Sequence, residues 1–241
     1  MRRNFAPTEN YNRLLAAVAA AEERAAREAG LVLVTGPAGF GKSEAVKRFA
    51  VQQGAVYLRG KTHWSPRAML AELVKALGGD PKHYREALFA QAVDLLSRET
   101  PRPIVVDEAE HACLDVKALE SLRDISDTLE NVVVLVGMDQ LQSRIARHPQ
   151  VYSRVAQVVE FQPASLEDVK ALANALTEVV MESELLERIH SESQGRIRLV
   201  LNALGRAERI GLNNQAQKVS LADINGTPLV DEFVPRRQIR Q

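Results

Sequence analysis

Short, wholly apolar or aromatic runs at 31–34, 55–58, 104–106 and 132–136 interrupt a chain whose other hydrophobic residues recur at three- and four-residue spacing. Such runs, bounded by turn residues, read as strands buried on both faces. A fifth strand is expected at 155–161. The intervening stretches read as helices at 8–28, 44–51, 65–77, 84–98, 114–129 and 140–147. In the first, Thr8 is the expected cap and Leu14, Leu15, Val18, Ala21 and Ala25 fall on one face. In the third, Ser65 caps and Pro66 takes the first helical position. Strands of this kind alternating with helices predict an α/β fold with a parallel sheet sandwiched by helices.

After Pro163 the pattern changes to periodic helices at about 166–180, 184–193 and 196–210 with no further strong strand, and Ser165 and Asp168 approximate a capping box. The expected organisation is an N-terminal helical segment at 1–30, an α/β core at 31–164, a small helical domain at 165–225 and a flexible basic tail at 226–241.

Charge and composition narrow the function classes. Lys+Arg and Asp+Glu are both 31, so the formal net charge is zero and bulk positive charge does not hold this chain on nucleic acid. Basic residues cluster locally at Arg2-Arg3, at Arg59 and Lys61, and at Arg236, Arg237 and Arg240. The single cysteine, Cys113, excludes a disulfide framework and a cysteine-rich zinc site. No apolar run approaches the roughly 20 residues of a membrane span. The alanine-rich stretch at 14–21 lies between Glu9 and Arg13 on one side and Glu22-Glu23-Arg24 on the other, so it reads as an amphipathic helix and not a signal peptide. A cytoplasmic protein of a bacterial host cell is expected.

The chemistry concentrates just after the first strand. Gly36, Gly41, Lys42 and Ser43 fill the spacing G-x-x-x-x-G-K-[ST]. Glycines let the backbone of the loop, Gly36, Pro37, Ala38, Gly39, Phe40 and Gly41, curl so that successive N–H groups, of which Pro37 has none, face phosphate oxygens, and the following helix, from Glu44, adds its positive end. Lys42 is expected on the β- and γ-phosphates and Ser43 on magnesium, so ATP and Mg2+ are the expected cofactors. The run at 103–106 ends in Asp107-Glu108. Two carboxylates closing a buried strand are costly without a cation beside them. Asp107 is the expected metal-side residue and Glu108 the expected general base.

Together, the P-loop, the Walker B-like strand, a further apolar strand, an arginine before the last strand and a helical lid resemble an AAA+ ATPase over nearly the whole chain. Within that superfamily, Val106-Asp107-Glu108-Ala109-Glu110-His111 and Leu135-Val136-Gly137-Met138-Asp139-Gln140-Leu141 resemble the ATPases that assist DNA transposition, the B proteins of Mu-like phages and related transposon target-selection ATPases. The resemblance implies two catalytic arginines: Arg154, offered to a neighbouring subunit's γ-phosphate, with Arg144 and Arg147 as competitors, and Arg198 in the lid, with Arg196 second. It implies an ATP-dependent ring or filament of identical subunits on double-stranded DNA without sequence specificity, a transposase partner, and no membrane. Arg59, Lys61 and Thr62 are nominated as DNA-facing, with Lys117 and Arg123 behind them; His63 and Trp64 beside them would stack or pack, and the C-terminal arginines would recruit the transposase.

Two departures from the family pattern stand out. The end of the fourth strand falls on Gly137-Met138 where many relatives place a polar side chain, so Asp139 or a backbone group would substitute, or hydrolysis would be slow. Only about thirty residues precede the first strand, so the extra DNA-binding module of the phage proteins is not expected and DNA contact falls to the core or its tails. Other classes are an AAA+ switch acting on protein partners, expected to carry a membrane or wall-binding module, and a replication-type loader, expected to carry a winged helix. A metabolic P-loop kinase fits the arginines less well.

Overall fold

Valine, leucine and isoleucine make up β4 (Val133–Val136) and all but the last residue of β1 (Leu31–Thr35) and β3 (Ile104–Asp107), and every residue of these three strands is buried. A strand buried on both faces must lie inside a covered sheet. β2 (Val56–Arg59) and β5 (Val155–Glu160) expose part of their residues and form the edges. The order is β2-β3-β4-β1-β5, with every pairing parallel. The fold is the α/β arrangement expected.

The computed structural model describes residues 1–2, 4–62, 64–98, 101–224, 226 and 228–230. The chain divides into two compact units, one of 10–38 and 42–161, the other of 1–9, 39–41 and 162–241.

In the sheet unit, α1 (Glu9–Glu22) and α2 (Lys42–Gln53) bury Leu14, Val18, Val46 and Phe49. The largest core joins Leu33, Val106 and Leu135 of the sheet to Leu70 and Leu73 of α3 (Pro66–Ala76), Leu88 of α4 (Arg85–Ser97) and Leu122 of α5 (Val116–Leu129). Ser65 accepts from the Ala68 amide at 3.2 Å and Pro66 opens α3, as the sequence predicts.

Three helix bounds in this unit need correction. The first helix stops at Glu22, not near 28, because the Arg24 guanidinium turns back onto the Ala21 carbonyl at 2.7 Å and the Arg27 carbonyl at 2.8 Å; Ala25 is exposed. The helix expected at 114–129 is preceded by a separate 3-10 turn, Ala109–Leu114, and restarts where Asp115 accepts from the Lys117 amide at 3.0 Å. The helix expected at 140–147 is α6 (Gln140–Ala146), followed by a short α7 (Pro149–Tyr152). Pro149 disfavours a helical His148 and so separates the two.

The other unit contains α8 (Leu166–Leu176), α9 (Ser183–Ser193) and α10 (Ile197–Asn213) around Val169, Leu185, Ile189, Val200 and Leu204. Ser165 and Asp168 form a reciprocal capping box. Two short strands accompany these helices: β6 (Val180–Met181) and β7 (Lys218–Val219) pair in parallel. α8 ends at Leu176 because the Thr177 hydroxyl bonds the Ala173 and Val179 carbonyls, turning the chain into β6. Strands of two residues carry no periodicity to read. Ala6 packs into this core. Among the described residues no helix is long and apolar enough to cross a membrane.

Candidate nucleotide site

At the C-terminal end of β1 the backbone passes through Gly36, Gly39 and Gly41 at φ of 142°, 90° and 86°. Side-chain-bearing residues rarely hold such angles. At Gly36 a Cβ would also stand 2.9 Å from the Phe161 carbonyl oxygen. α2 begins at Lys42, so its unpaired first-turn amides and its positive dipole end belong to the loop. Ser43 and Glu44 are exposed on that first turn, Pro37 and Ala38 are exposed before it, and Phe40 is half-buried. The Lys42 ammonium folds onto the loop, donating to the Gly36 carbonyl at 2.5 Å and the Pro37 carbonyl at 2.8 Å. Burial pulls its pKa below the ordinary lysine value, and the charges of Asp139, Glu110 and Asp107 oppose that pull.

The strand order places β4 between β1 and β3, so Asp107 and Glu108 sit at the same end of the sheet as the loop. Asp107 is buried, at 4% exposure. Its Oδ2 accepts from the Tyr57 hydroxyl at 2.8 Å and its Oδ1 from the Glu108 amide at 3.0 Å. Burial first, then the bond to Asp107, raises the Tyr57 phenol well above its ordinary value. Glu108 holds φ 55°, a left-handed angle unusual for a residue with a side chain. Gly60 supports it: its amide donates to the Asp107 carbonyl at 2.7 Å, and a Cβ there would lie 2.4 Å from the Glu108 carbonyl oxygen. The Glu108 carboxylate accepts from the Arg59 guanidinium at 2.6 Å. That bond holds the Glu108 carboxyl below the ordinary carboxylate value.

Just past β4 come the buried Gly137 and then the exposed Met138 and Asp139. Nearby, Glu110 Oε2 is buried without a hydrogen-bond partner. Burial pushes the Cys113 thiol up to about 11, so it is unreactive as a nucleophile. The donor set fits magnesium: a hydroxyl oxygen at Ser43 and carboxylate oxygens at Asp107, all hard ligands.

Among the remaining sequence-predicted residues, Arg198 meets the loop through its main chain, its amide donating to the Gly39 carbonyl at 3.2 Å. Arg154 precedes β5, at the opposite end of the sheet; its carbonyl accepts from the Leu31 amide at 2.9 Å and its Nε pairs with Asp127 at 3.1 Å. Arg144 donates to the Glu110 carbonyl at 3.4 Å, and Arg147 follows the end of α6. Arg198 is the exposed second residue of α10, and Arg196 is that helix's N-cap. Of the DNA nominees, Arg59 is paired with Glu108, Lys61 with Glu72 at 2.7 Å, and Thr62 is exposed. Lys117 is exposed and Arg123 pairs with Asp124. Trp64 is buried rather than stacked outward. His63 and the C-terminal arginines lie outside the described residues. Sequence reasoning did not single out Tyr57, which shares a sheet face with Arg59; its β2–β3 alignment was not readable without the register Arg59↔Asp107.

A family model described as an AAA domain matches residues 24–145, half of the chain. A potential ATP-binding protein of Staphylococcus aureus is 27% identical over 158 residues, which cover 61% of this chain and 54% of that one. The chain thus spans about half the length of that curated relative. Among solved structures, the RuvB Holliday junction branch migration motor of Thermotoga maritima superposes with TM-score 0.62 at 20% identity, over 92% of this chain and 68% of its own. The ORC1 protein of Aeropyrum pernix, solved in complex with DNA, gives TM-score 0.61 at 19% identity, over 90% of this chain and 63% of its own.

Proposed function

Because the chain belongs to the AAA domain family and carries its P-loop ATPase domain, we propose that it binds ATP with magnesium, hydrolyses it, and uses that cycle to assemble on duplex DNA. The observation that carries this reading is the shared end of one parallel sheet, where the glycine loop and Lys42 stand two strands from Asp107 and Glu108. Loop amides and Lys42 hold the phosphates. Ser43 and Asp107 hold magnesium, which when bound neutralises charge on the phosphate oxygens. Glu108 takes the proton of the attacking water once its carboxylate leaves Arg59.

Arg154 cannot serve the loop of its own chain from the far end of the sheet. Its role is in a neighbouring subunit's site, which makes the active form an oligomer. Arg198 serves the site of its own chain. The DNA part is supported by two structural neighbours, a branch migration motor and a protein solved on DNA. Within that class, the strings around Asp107 and Gly137 favour a transposition role, with a transposase as partner. Arg59, Lys61 and Thr62 remain the nominated phosphate contacts; the first two must exchange a carboxylate for a phosphate to serve.

Electron microscopy of the purified protein with duplex DNA, with and without ATP, tests the reading. ATP-dependent rings or filaments are expected, and Glu108→Gln is expected to persist in the assembled state. Monomers under every condition, with no DNA retained at low salt, would sink it.

A further inference from the structure

The end of β4 carries a glycine whose missing side chain is replaced by another residue's carboxylate. A Cβ built on Gly137 would stand 2.4 Å from Glu110 Oε2, closer than the two atoms can approach. Glycine at 137 therefore admits Glu110 to that place. The oxygen is enclosed and accepts no hydrogen bond. Buried carboxylate oxygens without a donor are uncommon in folded proteins and call for an explanation. The nearby cations do not supply one. Arg144 directs Nη1 to the Glu110 main-chain carbonyl and Nη2 to the Gln140 side chain, and Lys42 donates to Gly36 and Pro37, though its ammonium feels the Glu110 charge. Met138, the next residue on that strand end, offers no donor or acceptor of use to water, and its side chain turns outward, 52% exposed.

Resting on the proposed ATP hydrolysis, we infer that Glu110 is a further residue of the hydrolytic site, whose carboxylate accepts a hydrogen bond from the attacking water and fixes its orientation toward the γ-phosphate. A water has two protons, and Glu108 is placed to take only one. In the step, the water oxygen bonds to the γ-phosphorus as the bond to the β–γ bridging oxygen breaks. ADP leaves with that electron pair, and the proton passes to Glu108 and then to the released phosphate. Glu110 keeps its charge throughout and accepts the second O–H. Gly137 is then a positioning residue, holding open the space the carboxylate occupies.

Glu110→Gln and Gly137→Ala test the assignment in the full chain. Affinity for a fluorescent N-methylanthraniloyl ATP with magnesium is expected to stay within about threefold of wild type in both. Affinity for ADP with aluminium fluoride, which captures the in-line water, is expected to fall at least about tenfold, with kcat falling in parallel. Because both substitutions disturb one carboxylate, the double variant is expected to lose no more than either alone. Wild-type kcat and aluminium fluoride affinity in Glu110→Gln, or additive losses in the double variant, would overturn the inference. Failure of the wild-type protein to bind the fluorescent ATP would instead overturn the proposed function.

Discussion

The two halves of the nucleotide site are built by opposite means. The loop after β1 is made largely of main chain: three glycines at positive φ and a helix start, with the Lys42 ammonium folded back onto it. The end of β3 is made of side chains held by side chains: Asp107 by Tyr57, Glu108 by Arg59, and Glu110 in the space left by Gly137. A main-chain device depends on which residues permit a conformation. A side-chain device depends on partners brought in from other strands. The first tolerates little change within its own few residues, whereas the second can be disturbed from a distance.

The sharpest test of that contrast is Lys42, the side chain that folds onto the loop. Lys42→Ala is expected to lower affinity for a fluorescent ATP by about a hundredfold or more, equivalent to at least about 2.7 kcal/mol; survival of tight binding would mean that main-chain amides alone suffice. Next, Gly36→Ala is expected to destabilise the fold by about 1–3 kcal/mol in urea, since it must hold φ 142° with its Cβ 2.9 Å from the Phe161 carbonyl oxygen. An unshifted midpoint would show that the loop relaxes freely.

On the side-chain half, Tyr57→Phe removes the donor at 2.8 Å from Asp107 without changing shape. The magnesium concentration needed for half-maximal ATP binding is expected to rise about three- to tenfold, as when the outer support of a metal ligand is lost. An unchanged requirement would remove Tyr57 from the site. The smallest effect is expected from Arg59→Gln, because the pair with Glu108 is largely exposed. Its direction is nonetheless definite. Arg59 depresses the Glu108 pKa in the folded state. The pairing thus stabilises above the unfolded carboxylate value of about 4.3, and that contribution is lost as pH falls through the lower folded value. Arg59→Gln should leave melting at neutral pH little changed and diminish the pH dependence in the acid range, while raising basal turnover by freeing Glu108. Slower turnover would mean that Arg59 aids the chemistry.

This division also explains what could be read from the sequence. The strands at 31–34, 104–106 and 132–136 were legible because a strand covered on both faces must be apolar at every position. The loop was legible because glycine spacing is itself the conformational requirement. Asp107 and Glu108 were visible as polar residues closing an apolar run, but their partners were not. Tyr57 and Arg59 reach them through β2–β3 register, and Glu110 reaches its place through the pairing of neighbouring strand ends. The strands β6 and β7 escaped because two residues each carry no pattern, and the early end of α1 depended on Arg24 folding back onto the helix.

The left-handed backbone at Glu108 sets stability against chemistry at a single codon. Glycine would adopt φ 55° without strain and asparagine with less, so either replacement is expected to make the folded chain more stable. Both would also discard the carboxylate. A library screened for heat resistance alone would therefore drift toward inactive proteins at this position, and a glutamate retained there under such selection would itself report that hydrolysis was being used.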